Sequence, residues 1–347
     1  MNKVLIDAQT SYPIECGQGF VLSRLVEIFA ERLSKAKGVV IVSDREVSGY
    51  YINDIVRQFE LIDLRPVVVI VEAGQGGKSL DAVKQVYEGL VDANFHESDL
   101  LFALGGGGVL DVAAFAAATF FHGIDYVQIP TSLLAMIDSS IADKAFLNYQ
   151  SYKDCVSIPA TPVHTMIDID FLQTLPPRIK ANGIAQIIRY GLLGSKELLE
   201  LLQKETVDME KLIILSLDMK NKLKKEFADH SISKESSFNH SFGQEIGEAI
   251  EGHFRFLKYT HGEALALGML AMHPTPMLKE LYEFHGLPVA IEGVTKETLL
   301  KRLVRSFPAE GELSFVALEE LGKPILKKLQ FDEASACFEE YLSVICQ

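Results

Sequence analysis

The amino-acid sequence predicts a Rossmann-like α/β domain followed by an all-helical domain. In the first half, short β-branched runs alternate with helical periodicity. These runs are almost entirely apolar, which is typical of a parallel sheet with helices on both faces. After Leu175-Pro176-Pro177 the strand pattern fades and helical patterns continue to the end. We therefore divide the 347 residues into domains 1–170 and 171–347.

The predicted elements of the first domain follow from apolar runs and their spacing. Two amphipathic or Ala-rich stretches predict helices at 79–93 and 109–121. Pro-Pro at the domain boundary stops the preceding element and suits the first turn of a helix. The predicted strands are 39–43, 67–71, 100–104, 126–129 and 165–167.

Charge and composition exclude several classes of partner. The formal net charge of −14 argues against nucleic acid and against anionic membranes. No apolar run approaches the ~20 residues of a membrane span, and the first residues do not resemble a signal peptide. The four cysteines form no CxxC pair, which favours reduced thiols in a cytoplasmic protein.

A run of four glycines is the first candidate binding motif. The predicted strand 100–104 leads into Gly105-Gly106-Gly107-Gly108, and the helix beginning VLDVAAF follows. Such a turn permits close backbone approach, and the helix N-terminus offers N–H groups to a diphosphate. A tight turn without a ligand is the alternative, since the spacing differs from GxGxxG.

Other polar residues also follow predicted strands. Asp44 ends the first of them, where it suits a ribose hydroxyl or simply a helix cap. Gly74-Gln75-Gly76-Gly77-Lys78 follows the second, and Thr131-Ser132 follows the fourth. Ligands of open α/β sheets bind at the carboxyl ends of strands, so together these residues indicate a binding edge.

Two further groups of residues carry chemistry. Asp138, Lys144 and Lys153 place one carboxylate and two amines in a short stretch, either a solvated loop or an anion-binding and proton-handling site. His240 and His261 lie at the starts of helix-like segments, and Thr260 and Glu263 have capping-box spacing. Two helices can bring such imidazoles onto one metal, although capping or core histidines are the alternative.

Taken together, the motifs resemble 3-dehydroquinate synthases and the wider sugar-phosphate cyclase superfamily. The resemblance runs from about Asp44 to Met269 through GGGGVLDVAAF, IPTSLLAMIDSSIADK, FLQTLPPR, GIAQIIRYG, NHSFG and THGEALALGM. It implies an NAD-binding α/β domain joined to a helical domain, usually in a homodimer. It also implies a small-molecule substrate, 3-deoxy-D-arabino-heptulosonate 7-phosphate of the shikimate pathway. With NAD and a divalent metal, zinc or cobalt, that substrate loses phosphate and closes to 3-dehydroquinate.

The resemblance also implies site residues by position. Catalytic or substrate-binding roles fall to Asp138, Lys144, Lys153, Lys222 and His240, and metal-ligand roles to Gln186, His240 and His261. NAD-binding roles fall to Asp44, Ala73, Gly74, Gln75, Gly76, Gly77, Lys78, Gly107, Gly108, Val109, Leu110, Asp111, Thr131, Ser132, Lys144, Lys153, Phe171, Leu172, Gln173 and Thr174.

Several positions depart from the family pattern. Gln186 replaces a metal-binding Glu, so a zinc ion there keeps two net positive charges instead of one. Asp154 replaces an Asn, His122 an Arg, and Gln244 a His, all on the substrate side. These substitutions leave three hypotheses open: a 3-dehydroquinate synthase, a cyclase with a different sugar phosphate, or an inactive NAD-binding relative that acts through a protein partner.

Overall fold

The computed structural model describes residues 2–6, 12–150, 152–228, 242–305 and 312–346. The chain forms two compact units, Met1–Leu175 and Pro176–Gln347. We call them the N-terminal and the C-terminal unit. No helix of the described residues is both long and apolar enough to cross a membrane.

A seven-stranded sheet organises the N-terminal unit. Its order is β1-β2-β9-β6-β5-β3-β4; β1 is antiparallel to β2, and all other neighbouring strands are parallel. Strands β7 and β8 form a separate antiparallel hairpin. The strands are β1 Asn2–Ile6, β2 Tyr12–Gly17, β3 Val39–Asp44, β4 Val67–Val71, β5 Leu100–Gly105, β6 Tyr126–Pro130, β7 Lys144–Tyr149, β8 Tyr152–Pro159 and β9 His164–Asp168.

Helices cover this sheet. The two predicted helices are confirmed as α4, which Ser79 caps, and α5, whose Ala-rich faces are mostly buried against β5, β6 and the β7–β8 hairpin. The helices are α1 Val21–Ile28, α2 Ala30–Leu33, α3 Arg45–Glu60, α4 Leu80–Asp92, α5 Gly107–Thr119 and α6 Leu133–Ile137.

The predicted parallel sheet is confirmed, and its strand order locates a binding edge. All five predicted strands are present as β3, β4, β5, β6 and β9, and every residue of β3, β5 and β6 is buried. From β3 the chain passes to β4 on one side and then to β5 on the other. The connections therefore diverge between β3 and β5, which is where open α/β sheets bind ligands.

The C-terminal unit is mainly helical. Its helices are α7 Pro177–Leu193, α8 Lys196–Leu202, α9 Met209–Ala228, α10 Gln244–His253, α11 His261–Met272, α12 Pro276–Phe284, α13 Lys296–Val304 and α14 Phe331–Ile345. The predicted burial of α11 is confirmed, since Gly262 to Ala271 are all buried. The unit also contains an antiparallel hairpin, β10 Glu312–Glu320 and β11 Lys323–Gln330, which the sequence analysis did not predict.

Candidate functional site

The predicted polar residues at the ends of β5 and β6 lie next to one another. The Thr131 amide donates to the Gly105 carbonyl at 3.0 Å. A Cβ added to Gly106 would lie 3.6 Å from Ser132 Oγ, and one added to Gly107 only 2.9 Å from Ser139 Oγ. The glycine turn, Thr131 and Ser132 therefore form one continuous polar edge.

The glycine turn opens directly into the N-terminus of α5. Gly106 caps this 13-residue helix with an extended backbone. The first N–H groups of an α-helix have no intrahelical acceptor, and the helix dipole makes this end positive. The turn thus has the features of an anion-binding site, in the crevice that the strand order predicts.

Gly108 is required by close packing of backbone. A Cβ at this position would lie 2.5 Å from the Gly74 carbonyl oxygen. The predicted loop 73–78 therefore lies against the first turn of α5. At Gly77 a Cβ would lie 1.8 Å from the Glu72 carbonyl oxygen, so the loop itself also depends on glycine. These two glycines are explained by the fold without a ligand.

Asp44 is a helix cap in the structure. Its Oδ1 accepts hydrogen bonds from the amides of Glu46 and Val47, at 2.9 and 3.0 Å. The side chain is buried at the carboxyl end of β3. Both bonds end at Oδ1, so the capping role leaves the second carboxylate oxygen for the predicted ribose contact.

Lys78 is buried between two carboxylates. Its ammonium lies 2.7 Å from Asp111 Oδ2 and also contacts Asp154 Oδ1. Burial lowers the pKa of Lys78, but the two carboxylates raise it more, so the net shift is upward and the amine stays protonated at neutral pH. The family resemblance implies an NAD-binding role for Lys78, and in the structure its ammonium is held by two protein carboxylates.

Asn148 extends this cluster into the β7–β8 hairpin. Its side-chain amide donates to the Gln75 carbonyl at 2.8 Å, and its Oδ1 accepts from the Asp154 amide at 2.9 Å. Its backbone amide donates to the Lys78 carbonyl at 2.8 Å. Loop 73–78, the start of α5 and the hairpin are therefore joined by one polar network.

Two further groups of predicted residues lie in this unit: the segment 171–174, and the charged residues Asp138, Lys144 and Lys153. Phe171 and Leu172 are buried, and Thr174 Oγ1 lies 2.5 Å from the Tyr51 hydroxyl on α3. Asp138 is half-buried between α6 and the following turn. Lys144 opens β7 opposite Pro159, whereas Lys153 lies beside the Tyr149–Tyr152 pair. The two lysine backbones are thus about four residues, ~13 Å, apart along the hairpin.

In the C-terminal unit, the start of α11 is fixed from two directions. The predicted capping box is confirmed between Thr260 and Glu263. Arg178 of α7 donates from Nε and from an NH2 group to the two carboxylate oxygens of Glu263, each at 2.7 Å. Burial raises the pKa of Glu263, but Arg178 and Thr260 together lower it below its usual value.

The same junction involves the face of α7 that carries Gln186. The Gly262 amide donates to Asn182 Oδ1 at 3.0 Å, and a Cβ at Gly262 would lie 2.3 Å from Asn182 Cα. Asn182 and Gln186 are four residues apart on α7 and share one face. His261 precedes Gly262, so two of the three predicted metal ligands belong to one helix junction.

Gln186 and His261 differ in their surroundings. Gln186 is 1% exposed, and among the described residues its Nε2 has no hydrogen-bond partner. His261 is partly exposed, and its Nδ1 lies 3.2 Å from Oε2 of the buried Glu251. A buried amide without a hydrogen-bond partner is energetically costly, so the Gln186 side chain is suited to contact a bound ligand.

Of the other positions named from the sequence, Lys222 lies on α9 and Gln244 begins α10. His240 lies outside the described residues, so the third predicted metal ligand has no structural account. Lys222 is exposed on α9, and Gln244 Oε1 accepts from the buried Arg189 at 3.3 Å. Across the described residues, no group of three His, Cys, Asp or Glu side chains could hold a metal. Of the predicted metal ligands, only His261 is such a residue in the described part of the chain, because Gln186 is an amide and His240 lies outside it.

Family models match most of the chain. The model of the 3-dehydroquinate synthase N-terminal region matches residues 68–182, and that of the C-terminal region matches residues 183–305. This chain belongs to the 3-dehydroquinate synthase family. A curated 3-dehydroquinate synthase from Methylacidiphilum infernorum is 30% identical, and the match covers 94% of each chain.

Solved structures confirm the fold at lower identity. 2-Deoxy-scyllo-inosose synthase in complex with carbaglucose-6-phosphate, NAD+ and Co2+ has a TM-score of 0.82 at 21% identity, and the match covers 98% of this chain and all of that one. The 2-epi-5-epi-valiolone synthase of Streptomyces hygroscopicus subsp. jinggangensis 5008, with NAD+ and Zn2+, has a TM-score of 0.80 at 19% identity, covering 98% and 99%. The predicted family and fold class are therefore confirmed.

Sequence reasoning missed three residues that shape these sites: Asn148, Arg178 and Glu251. Asn148 and Arg178 act through tertiary hydrogen bonds, and their local sequence gives no sign of them. Glu251 had a weak signal, because it lies four residues after Gly247 on the face of α10 that packs on α11. An acidic residue on a buried face needs a partner.

Proposed function

We propose that this chain is an NAD- and metal-dependent 3-dehydroquinate synthase that eliminates phosphate from 3-deoxy-D-arabino-heptulosonate 7-phosphate and closes the product ring. The observation that carries the proposal is the α7–α11 junction, where the buried Gln186 amide lies on the helix face that packs against the start of α11, at His261. The family assignment indicates the reaction class. At this junction Gln186 and His261 provide a pair of donors that suits the metal of that reaction.

The dinucleotide is assigned to the N-terminal unit. The N-terminus of α5 binds the diphosphate, and the carboxyl end of β3 with Asp44 binds the adenosine ribose. Thr131 and Ser132 line the same polar edge. Lys78 acts indirectly, because its ammonium holds Asp111 and Asp154 and so fixes loop 73–78 against α5.

The donor set fits a divalent metal. Rotation of the Gln186 amide by a half-turn places Oε1 where Nε2 now lacks a partner. His261 presents Nε2 when Nδ1 faces Glu251, and His240 completes a set of two nitrogens and one oxygen. When bound, NAD+ accepts and returns a hydride, and the metal polarises the hydroxyl that is oxidised.

Substrate contacts are assigned to charged residues. Lys144, Lys153 and Lys222 supply cations for the phosphate and carboxylate of the substrate, and Asp138 orients or exchanges a proton. In a chain of net charge −14, such local cations are needed to attract an anionic substrate. We further propose a cytoplasmic homodimer, the usual form in this family.

A second candidate is a cyclase that acts on another sugar phosphate. It is favoured by Asp154, which stands where the family has Asn and directs its carboxylate to Lys78. A carboxylate near a phosphate position repels that phosphate unless a cation neutralises it. Here Lys78 provides the neutralisation, but it does not provide the amide donor that Asn would supply.

Phosphate release distinguishes these functions. Purified protein with NAD+ and Co2+ is mixed with 3-deoxy-D-arabino-heptulosonate 7-phosphate or with glucose 6-phosphate. Metal-dependent release from the heptulosonate alone supports the proposal, and release from glucose 6-phosphate alone supports the second candidate. Absence of release from the heptulosonate while NAD+ still binds by calorimetry rejects the proposed function, and absence of release from glucose 6-phosphate rejects that sugar phosphate as the substrate of the second candidate.

Metal content provides an independent test of the metal assignment. We expect His261→Ala to lower bound Co2+ sharply, since it removes a ligand. The exposed His96 offers a matched control, and His96→Ala is expected to leave bound Co2+ unchanged. Equal Co2+ content in His261→Ala and in the parent protein would exclude His261 as a ligand.

A further inference from the structure

We propose that Glu251 is a positioning residue that fixes His261 for metal binding and supplies the negative charge that Gln186 lacks. The inference rests on the proposed function, because it concerns the same metal site. It assigns a role to a carboxylate that lies outside the predicted set of ligands.

The geometry places the carboxylate against one specific nitrogen. Glu251 lies in the last turn of α10, is 2% exposed, and its Oε2 lies 3.2 Å from His261 Nδ1. An acceptor at Nδ1 favours the tautomer that carries its proton there, which leaves the lone pair on Nε2. His261 is partly exposed, whereas Glu251 is enclosed. The imidazole can therefore bind an ion through the nitrogen that faces away from the carboxylate.

Tight helix packing holds this pair in place. A Cβ on Gly268 of α11 would lie 1.9 Å from the Gly243 carbonyl oxygen, and one on Gly247 of α10 would lie 3.2 Å from the Ala264 carbonyl oxygen. The two helices thus approach at backbone distance. Because α10 cannot shift along α11 without steric overlap, Glu251 has a fixed position relative to His261.

The charges of the site explain why such a carboxylate is useful. A divalent ion bound by the neutral imidazole of His261 and the neutral Gln186 amide keeps both of its positive charges. In the family pattern a Glu at this position cancels one of them. Glu251 places one negative charge a single imidazole ring away from the ion. Carboxylates that hydrogen-bond a ligand histidine raise its basicity, and their loss costs about 10–100-fold in metal affinity.

Co2+ affinity of variants, measured by calorimetry and by the visible absorption of bound Co2+, tests the inference. Glu251→Gln removes the charge but keeps an acceptor oxygen, and we expect Co2+ to bind about 10-fold more weakly or worse. Glu251→Leu also removes the acceptor and is expected to bind still less. Glu280→Gln removes an exposed charge of the same unit and should bind like the parent. Adding Gln186→Glu to Glu251→Gln should restore most of the lost affinity, which a purely structural role of Glu251 would not produce.

The outcomes separate this inference from the proposed function. Parent-like Co2+ affinity in both Glu251 variants would overturn the role of Glu251 while the metal site stands. A lower free energy of unfolding with unchanged Co2+ affinity would show a structural residue and also overturn it. Failure of the parent protein to bind Co2+ would reject the metal site and the inference together. If Glu251→Leu does not fold, Glu251→Gln and its rescue by Gln186→Glu decide the question.

Discussion

At the scale of single residues, Lys78 shows how two acidic side chains are accommodated in a buried cluster. Asp154 has a left-handed backbone, with φ of 52°, and its carboxylate reaches the ammonium that Asp111 also contacts. The two acidic residues share one buried cation. Asp154 is therefore a structural partner of Lys78, and its carboxylate is not an isolated charge.

Removal of this cation is expected to be strongly destabilising. In Lys78→Met the carboxylates of Asp111 and Asp154 lose their shared partner, and breaking a buried ion pair costs about 3–5 kcal/mol. Urea unfolding of the variant and of the parent protein measures the difference. Lys84→Met is the control, because Lys84 is exposed and pairs with the exposed Glu88 one turn away; the expected loss there is below about 0.5 kcal/mol.

The destabilisation of Lys78→Met is expected to depend on pH. Burial already raises the pKa of Asp111, and Lys78 opposes that rise. Without Lys78 the pKa of Asp111 rises further. The folded state then tolerates the protonated carboxyl but is destabilised by the ionised one. A folded-state pKa above the unfolded value gives stability that is present at low pH and lost as pH rises. The deficit of Lys78→Met should therefore grow from pH 4 to pH 8; a constant deficit would contradict the assignment.

At the scale of elements, glycines set the distance between α10 and α11. Gly243 has φ of 79°, and its carbonyl oxygen occupies the space in which a side chain at Gly268 would lie. In Gly268→Ala we expect the free energy of unfolding to fall by about 3 kcal/mol, because the backbones of α10 and α11 must separate to admit one methyl group. Thermal and urea unfolding measure it. The helical, exposed Gly49 of α3 has no atom within 4 Å of an added Cβ, so Gly49→Ala should instead gain about 0.5–1 kcal/mol.

The attachment of α11 to α7 depends on Arg178 and Glu263. The Glu263 carboxyl has a lowered pKa in the folded protein despite its burial. A lowered folded-state pKa gives stability that is present above the unfolded pKa and lost as pH falls through the folded one. We expect Arg178→Ala to cost about 1 kcal/mol at pH 7, since the guanidinium is half-exposed. The cost should shrink below pH 4, as measured by urea unfolding; an unchanged cost at pH 3 would exclude this ion pair as its source.

Sequence patterns were sufficient for three strands that are buried on both faces, but not for β2, which is also mostly buried and was not predicted. The runs VVIVSD, LLFALG and YVQIP are mostly apolar strands in which every residue is buried, and all three were predicted within a residue of their bounds. The β7–β8 and β10–β11 hairpins were missed because one face of each is exposed. Strands β8 and β11 alternate between exposed and half-buried residues, so their polar content is typical of loops. A short alternating segment becomes a strand through its partner strand, which local sequence does not identify.

The placement of the candidate-site residues was predictable to a similar degree. Motif positions correctly brought the glycine turn, Thr131 and Ser132 to one edge, because parallel strands end on the same side of a sheet. The pairing of Lys78 with Asp111 and Asp154, and of His261 with Glu251, joins residues from different elements. Such contacts depend on how helices and hairpins pack, and no spacing within the sequence encodes them.

At the scale of the whole molecule, the two proposed cofactors belong to different units. The N-terminal unit carries the polar edge for NAD, and the C-terminal unit carries Gln186 and His261. A ligand stabilises the structure that binds it, by about 2.7 kcal/mol at a hundred times its dissociation constant. The two ligands should therefore protect different parts of the chain.

Hydrogen exchange measured by mass spectrometry tests this division directly. With NAD+ alone we expect slower exchange at the carboxyl ends of β3, β5 and β6 and in the first turn of α5. With Co2+ alone the protected segments should be the second half of α7 and the start of α11, because ordering of Gln186 and His261 suppresses local opening there. Glu251→Gln should weaken only the Co2+ response, since α10 takes no part in the proposed NAD site. Protection of α11 by NAD+ alone, with no Co2+ effect on α7, would mean that the chemistry at that junction belongs to the dinucleotide and would refute the assignment of a metal to Gln186 and His261.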